Sequence, residues 1–303
     1  MNRKTVVLAG GSGFLGTAMT PDLIEQGYQV VVLTRGPERT AGPVRFLHWD
    51  AKTLGPWAGA IEGAEAVVNL AGKSVNCRYT EESRREIVAS RVDSVRVIGQ
   101  AIARCAAPPR VLIQAASAAI YGDRGDEWLD ENSPPGEGFS PQTCVRWEAA
   151  FNETPTPGTR RVLLRIGFVL GRGGGALGTL TKLARAFLGG TVGSGRQWIS
   201  WLHARDLNRI VLVAIERDTM TGTYLAVTPT PVRNREFMRE LRRAVHRPWA
   251  PPAPAWAVRI GSRLLGTEPE LALYGRRCRP AKLLAEGFAS TVADLRTAME
   301  DLV

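Results

Sequence analysis

Cysteine, histidine and lysine are all scarce in this 303-residue chain. The 4 cysteines, Cys77, Cys105, Cys144 and Cys278, are scattered without a C-x-x-C pair. The 3 histidines, His48, His203 and His246, are just as dispersed. This spacing excludes a disulfide framework and the clustered ligands of a zinc site, so no metal is expected. No apolar run approaches the roughly 20 residues that cross a bilayer. A strand-like run already begins at Thr5, so no signal peptide is read, no membrane partner is expected, and the cytoplasm is the expected location. Lysine is confined to Lys4, Lys52, Lys73, Lys182 and Lys282, so arginine supplies nearly all of the positive charge behind the formal net charge of +10. In an Ala-, Gly- and Pro-rich chain that reads as compositional bias. Arg239, Arg242, Arg243 and Arg247 cluster near one helical segment, but no nucleic-acid motif accompanies them. A solvated helix face is preferred over a polyanion site, and no nucleic-acid partner is expected.

What is present is an ordinary globular composition, 44% hydrophobic and 22% charged. The length suffices for a three-layer α/β core with a smaller appended lobe. Thr5–Ala9 is a β-rich run, followed by a glycine loop, a helical spacing from Phe14 to Gln26 closed by Gly27, and a second buried strand at Gln29–Leu33. This is the start of a βαβ unit. Further strands are expected at Val44–Trp49, Ala66–Leu70, Val111–Ala115 and Val162–Ile166. A long helix is expected over Glu81–Ala106, with Ile87, Val88, Val92, Val95, Ile98 and Ile102 as its apolar stripe. Strands alternating with helices predict an α/β fold, a Rossmann-type doubly wound parallel sheet covered on both faces. After Gly167 the composition shifts. Gly171–Gly175 and Gly189–Gly195 read as flexible loops around a helix near Leu177–Leu188; a helix over Asp206–Arg217 and a strand over Thr223–Val227 follow. The expected organisation is a dinucleotide-binding domain at 1–170, with 200–228 returning to it. A smaller C-terminal substrate lobe is expected at 171–199 and 229–303.

The glycine loop is the strongest motif. Gly11, Gly13 and Gly16 fit G-x-G-x-x-G, and Gly10, Gly13 and Gly16 fit G-x-x-G-x-x-G, with Ser12, Phe14 and Leu15 between them. One glycine permits the tight turn out of the strand, another lets the backbone approach a pyrophosphate, and the last lets the helix pack close to the sheet. The helix N-terminus then offers free N–H groups to phosphate oxygens. The end of the second strand selects the cofactor. A site for NAD carries an acidic residue there for the ribose 2′-hydroxyl; this chain has Thr34-Arg35, and an arginine suits the 2′-phosphate of NADP(H). Arg39 is read either as a second contact or as a solvated loop residue, and Asp50 either as a contact to the adenine amino group or as a turn-forming residue. Leu70, Ala71 and Gly72 end the fourth strand with little bulk where the cofactor must pass.

These features resemble a family. The glycine loop, Asn69-Leu70-Ala71-Gly72 and Ser117-Ala118-Ala119-Ile120-Tyr121-Gly122 are similar to an extended short-chain dehydrogenase/reductase. The resemblance narrows with Ser90-Arg91, Trp147-Glu148, the stretch Gly167 to Ala176, the Trp-rich stretch Gly193 to His203, Asp206-Leu207, Pro280 to Leu284 and Gly287-Phe288. Together they resemble the atypical epimerase family of the nucleoside-diphosphate-sugar epimerase type, some bacterial members of which carry a cell-division-inhibitor label. The match spans essentially the whole chain. It implies NADP(H) held by Thr34, Arg35, Leu70 and Ala71, with contributions from Glu86, Arg91 and Val169. The family has Glu where this chain has Lys73.

The superfamily pairs a Ser with Tyr-x-x-x-Lys: the Tyr moves a proton and the Lys lowers its pKa. Ser117 matches the Ser, but the Tyr and Lys positions are Cys144 and Glu148. A carboxylate near a thiol makes it harder to ionise. Cys144 is therefore read as a core thiol before a proton-transfer residue. Tyr121 is read as a packed aromatic before a substrate group, and Glu148 as a displaced general base only in second place. Asp206 is expected to cap a helix. Gln197, Trp198 and Trp201 are read as a wall for a ring-bearing ligand, with core packing expected for at least one indole. The function implied is an NADP(H)-dependent epimerase or oxidoreductase acting on a small hydroxylated or carbonyl substrate, with Ser117 polarising the oxygen. The alternative is a non-catalytic NADPH-responsive regulatory protein, for example one linked to cell division. Superfamily analogy alone implies a homodimer through the long helices.

Overall fold

The computed structural model describes residues 4–303. In the first half, strands β1 (Thr5–Ala9), β2 (Gln29–Thr34), β3 (Arg39–Ala41), β4 (Val44–His48), β5 (Ala66–Asn69), β6 (Val111–Ser117) and β7 (Trp128–Leu129) alternate with helices α1 (Phe14–Glu25), α2 (Glu81–Ile102) and α3 (Phe139–Glu153). Next come β8 (Arg160–Ile166), β9 (Phe168–Leu170), α4 (Gly175–Arg185), β10 (Trp198–Ile199), β11 (Trp201–His203), α5 (Ala204–Glu216), β12 (Gly222–Ala226), β13 (Val232–Arg233) and α6 (Asn234–Ala244). The chain ends with α7 (Ala255–Leu264), α8 (Glu270–Leu273), β14 (Arg277–Cys278), α9 (Ala281–Ala285) and α10 (Leu295–Leu302).

The main sheet has 8 strands in the order β12-β8-β6-β5-β1-β2-β4-β3. All neighbours are parallel except β3, which pairs antiparallel with β4 at the edge. This is the doubly wound Rossmann-type sheet that the alternating pattern predicts. Its strands are apolar runs because both faces are covered: Val6 to Ala9 and Ala66 to Val68 are buried throughout. On one helix layer α1 packs with α5, and on the other α2 packs with α3. Gly99 of α2 permits a close approach, since a Cβ there would stand 2.0 Å from Thr154 Cγ2 beyond the end of α3. The Thr80 side chain caps α2 by accepting from Ser83 N at 3.1 Å, and Glu81 and Glu82 complement the dipole in its first turn.

The strand order reverses between β1 and β5, so the carboxyl ends of these two strands form the crevice where such sheets bind ligands. The lobe beside it has its own core, built by Leu177, Trp201, Phe237, Leu241, Leu295 and Met299 among others. Short pairs tie that lobe together: β9 with β11, β10 with β13 and β7 with β14. Among the described residues, no helix is long and apolar enough to cross a membrane.

Candidate functional site

The glycine loop leaves β1 through Gly10, whose φ of 74° is in the left-handed region. A Cβ on Gly10 would stand 2.9 Å from Ala71 Cα, so only glycine lets the loop touch the segment after β5. A Cβ on Gly16 would stand 2.3 Å from Gly11 O, which fixes the close seating of α1 on the turn. Gly13 precedes α1 and no side chain caps that helix, so the N–H groups of its first turn face the crevice without a side-chain partner. An open cradle of backbone donors at a helix N-terminus fits a dinucleotide pyrophosphate. Phe14 follows Gly13 as the first residue of α1. Its ring turns into the glycine-rich stretch after β9, where a Cβ on Gly174 would stand 2.5 Å from Phe14 Cδ2. Gly171–Gly175 is therefore a close wrap around that ring rather than a free loop, and Phe14 has only its backbone to offer the crevice.

At the end of β2 the Thr34 hydroxyl donates to Ser12 Oγ at 3.0 Å and accepts from Gly36 N at 3.2 Å. This knits the loop to the strand end. Arg35 is exposed beside it and, among the described residues, has no hydrogen bond or ion pair. Arg39 is stacked on Phe46, 3.9 Å from the ring centroid. Asp50 forms a turn: its Oδ1 accepts from Lys52 N and Thr53 N, each at 2.8 Å, and its Oδ2 accepts from Thr53 Oγ1 at 2.7 Å. These bonds hold its carboxyl at about 2, with Thr53 N the largest cause. The carboxylate stays exposed, so the turn does not remove it from the crevice.

Under the other wall, buried Asn69 donates to Gln114 Oε1 at 2.9 Å and to Ser94 Oγ at 3.2 Å, and accepts from Ala71 N at 3.1 Å. It thereby fixes the main chain of Leu70 and Ala71. Arg91 reaches from α2 across Gly72, donating to Lys73 O at 3.0 Å and Ile87 O at 2.9 Å. Lys73 and Glu86 form an ion pair on the surface of this wall. Val169 lies in β9, paired with Leu202.

The four residues singled out for chemistry fare differently. Ser117 ends β6, half-buried; its Oγ accepts from Ala119 N at 3.1 Å and its hydroxyl proton is uncommitted. Tyr121 is fully buried, donating to Asp130 O at 2.7 Å and accepting from Arg165 Nη1 at 2.9 Å, and burial raises its pKa. Cys144 lies in an apolar cluster with Ala118, Tyr121, Leu129 and Cys278. Burial pushes its thiol up to about 12 against the pull of Arg91, and Glu148 adds to the rise. Glu148, one turn on along α3, is gripped by Arg165 at 2.8 Å and 2.9 Å.

The model of the NAD dependent epimerase/dehydratase family matches residues 6–225, and a domain of unknown function, DUF1731, matches residues 253–302. The chain belongs to the NAD dependent epimerase/dehydratase family. Among its relatives, the Bacillus subtilis epimerase family protein YfhF is 32% identical over 300 residues, covering 98% of this chain and 97% of the other. Mouse epimerase family protein SDR39U1 is 34% identical over 303 residues, covering 98% and 99%. The crystal structure of human SDR39U1 isoform 2 with NADPH superposes with a TM-score of 0.88 at 31% identity, covering 98% of each chain.

Within this family member, one expectation needs correction and another is met in part. Asp206 does not cap α5. His203 does, its Nδ1 accepting from Arg205 N at 3.1 Å, while Asp206 is fully buried and accepts from Thr291 N at 2.8 Å and Val292 N at 3.1 Å. The reason is that α5 begins earlier than its apolar pattern suggests, which puts the carboxylate inside the first turn, facing the C-terminal segment. The two indoles also separate. Trp201 is core, donating to Thr230 O at 3.0 Å, whereas Trp198 donates to Asp126 Oδ1 at 2.7 Å and is stacked with Arg233 and Arg277. Sequence reasoning passed over Gln114, Arg165 and Arg276. Each is a polar side chain in or beside a buried strand, a signal detectable as a polar break in an apolar run.

Proposed function

We propose that the protein binds NADP(H) in the crevice between β1 and β5 and acts on a small hydroxylated or carbonyl substrate, as an atypical extended short-chain dehydrogenase/reductase. The observation that carries the cofactor choice is the Arg35 guanidinium just after β2, which among the described residues has no hydrogen bond or ion pair and takes the sequence position where an NAD site carries an acidic residue. The loop from Gly10 to Gly16 would hold the pyrophosphate, with Ser12 braced by Thr34. Arg35 would meet the 2′-phosphate, Asp50 the adenine, and Leu70 to Gly72 with Arg91 the middle of the cofactor. When bound, the nicotinamide supplies reversible hydride exchange at carbon. Ser117 supports the chemistry: its spare hydroxyl proton can be donated to a substrate oxygen at the end of β6. Neither Cys144 nor Glu148 is free to replace the superfamily's Tyr and Lys. The proton that accompanies the hydride is therefore assigned to solvent reaching Ser117.

That same loss supports a second reading, an NADPH-responsive regulatory protein in which the cofactor shapes the lobe and nothing turns over. One experiment separates the two. NADPH consumption is followed with purified protein in a deproteinised metabolite extract, beside the Ser117→Ala variant. Consumption by the wild type that falls tenfold or more in the variant, with NADPH affinity unchanged, supports the enzyme. Binding of NADPH without consumption by either protein overturns net reduction, leaves a redox-neutral epimerase or the regulatory reading, and moves the weight toward the regulatory one.

A further inference from the structure

Arg276 is carried into the interior by its neighbours. Gly275 lies against the Trp198 backbone so closely that a Cβ would stand 2.4 Å from Trp198 N. Arg276 N donates to Trp198 O at 3.1 Å. Ser200 Oγ donates to Arg276 O at 2.8 Å and accepts from Cys278 N at 2.8 Å. In this extended run alternate side chains share a side, so Arg276 goes with Cys278. Arg277 goes the other way, its guanidinium held between the rings of Trp128 and Trp198 at 3.8 Å and 4.3 Å from their centroids. Cys278 is buried in the same cluster as Cys144 and Ala118, the residue after Ser117.

The Arg276 side chain therefore lies on the side of this segment that faces the cluster of Cys278, Cys144 and Ala118, the last of which follows Ser117 in the chain. Its surroundings are dry enough that desolvation lowers its pKa; the titratable groups that act on it are the thiols of Cys278 and Cys144, neutral near pH 7, and the carboxylates of Asp123 and Glu270. Among the described residues its guanidinium has no hydrogen bond and no ion pair. Its nitrogens are not sealed in the core, because the residue is half-buried and keeps a path to solvent. Other inward-facing arginines are satisfied: Arg165 by Glu148, Arg160 by Met220 O and Ile215 O, and Arg91 by Lys73 O and Ile87 O. A partly desolvated guanidinium without a direct partner costs stability, and a ligand that pairs with it offsets that cost.

We propose that Arg276 receives the carboxylate of the substrate, which makes that substrate a small 2-oxo or 2-hydroxy acid with the carboxylate next to the reacting carbon. This rests on the reading of the cleft as a substrate site for carbonyl chemistry. One unpaired guanidinium balances one negative charge, which suits a carboxylate and falls short of a diphosphate. Its planar fork matches two carboxylate oxygens at once. Ser117 and Arg276 then divide the work, one polarising the reacting oxygen and the other fixing the acid group beside it.

The test is direct binding on the full chain, with and without NADPH, by saturation-transfer NMR on the methyl signal of pyruvate, with pyruvamide as the neutral control. Wild-type protein is expected to bind pyruvate and to ignore pyruvamide. Arg276→Gln is expected to weaken pyruvate binding tenfold or more while leaving NADPH affinity unchanged and Tm no lower than that of the wild type. Arg276→Lys, which keeps the charge and loses the fork, is expected to weaken it at least threefold, and it stands in if the glutamine variant does not fold. Pyruvate binding that is absent in the wild type, or equal in wild type and variants, overturns the proposal. UDP binding tighter than pyruvate and lost in Arg276→Gln also overturns it, assigning the arginine to a nucleoside diphosphate. Pyruvate binding lost in Arg276→Gln, with no 2-oxo acid reduced by NADPH, leaves the subsite standing and sinks the oxidoreductase reading instead.

Discussion

Arg165 grips Glu148 through two hydrogen bonds, Nε to Oε1 at 2.9 Å and Nη2 to Oε2 at 2.8 Å, with the side chains only 12% and 11% exposed. The same guanidinium also donates to Tyr121 Oη and Glu131 O. Glu148 is thus a counter-charge for a strand arginine, with both of its carboxylate oxygens engaged. Removing one partner strands a buried charge. Glu148→Ala is expected to lower stability by about 3–5 kcal/mol. The double variant Glu148→Met with Arg165→Met should recover most of that loss, because it removes both charges together. Urea denaturation of the three proteins is the check; an unchanged midpoint for Glu148→Ala would show that the pair is not structural.

Asp206 ties the C-terminal segment to α5. Burial alone would raise its pKa, but donation from Thr291 Oγ1 at 2.6 Å, Thr291 N at 2.8 Å and Val292 N at 3.1 Å outweighs it and holds the carboxyl below its usual range. A depressed folded pKa contributes stability that is fully present above the unfolded value, near 4 on the ordinary scale. That stability is lost as pH falls through the lower folded value. Asp206→Asn lacks this term. It should be less stable than the wild type at pH 7, and the gap should shrink as pH drops below about 4. Denaturant midpoints of both proteins at pH 7 and pH 3 measure it, and a gap that is constant with pH contradicts the assignment.

What could be read from the sequence follows from how local its cause is. The unit β1, glycine loop, α1 and β2 was legible because its glycines and apolar runs are neighbours and each obeys a short-range rule. Asp206 was misread because its partners Thr291 and Val292 are 85 and 86 residues away, and nothing near it announces them. α3 gives little sign of itself. It opens after Gly138 at a φ of 104°, without a side-chain cap, and carries Pro141 in its first turn. Arg276 escaped for the opposite reason to Arg35. Arg35 stands where a known strand end predicts a phosphate contact, whereas Arg276 gains its meaning only when the far end of the chain folds back over Cys144.

Arg35 gives the sharpest test of the cofactor. An ionised hydrogen-bond pair contributes roughly 1.5–3 kcal/mol, about 10- to 100-fold in affinity. Arg35→Ala is therefore expected to weaken NADPH by that factor and NADH by less than threefold, measured by fluorescence titration of both cofactors. Equal losses for the two would mean that the guanidinium does not meet the 2′-phosphate.

Cys144 offers a test of what replaced the superfamily tyrosine. With its thiol pushed up to about 12 by burial, almost none is thiolate at pH 8, and the thiolate is the reactive form. Cys278 is pushed up to about 11, also by burial first. Iodoacetamide on the native protein at pH 8 should therefore label half-buried Cys77 well before either buried thiol, with Cys144 and Cys278 reacting only after denaturation. Mass spectrometry of the digested protein reads the order. A second arm asks about function: Cys144→Ala should keep NADPH affinity and any turnover within about threefold, since a group that transfers no proton is missed only for its packing, and the lost sulfur should lower stability by about 1–2 kcal/mol. Rapid native labelling of Cys144, or turnover abolished by alanine with the fold intact, would restore it as the proton-transfer residue.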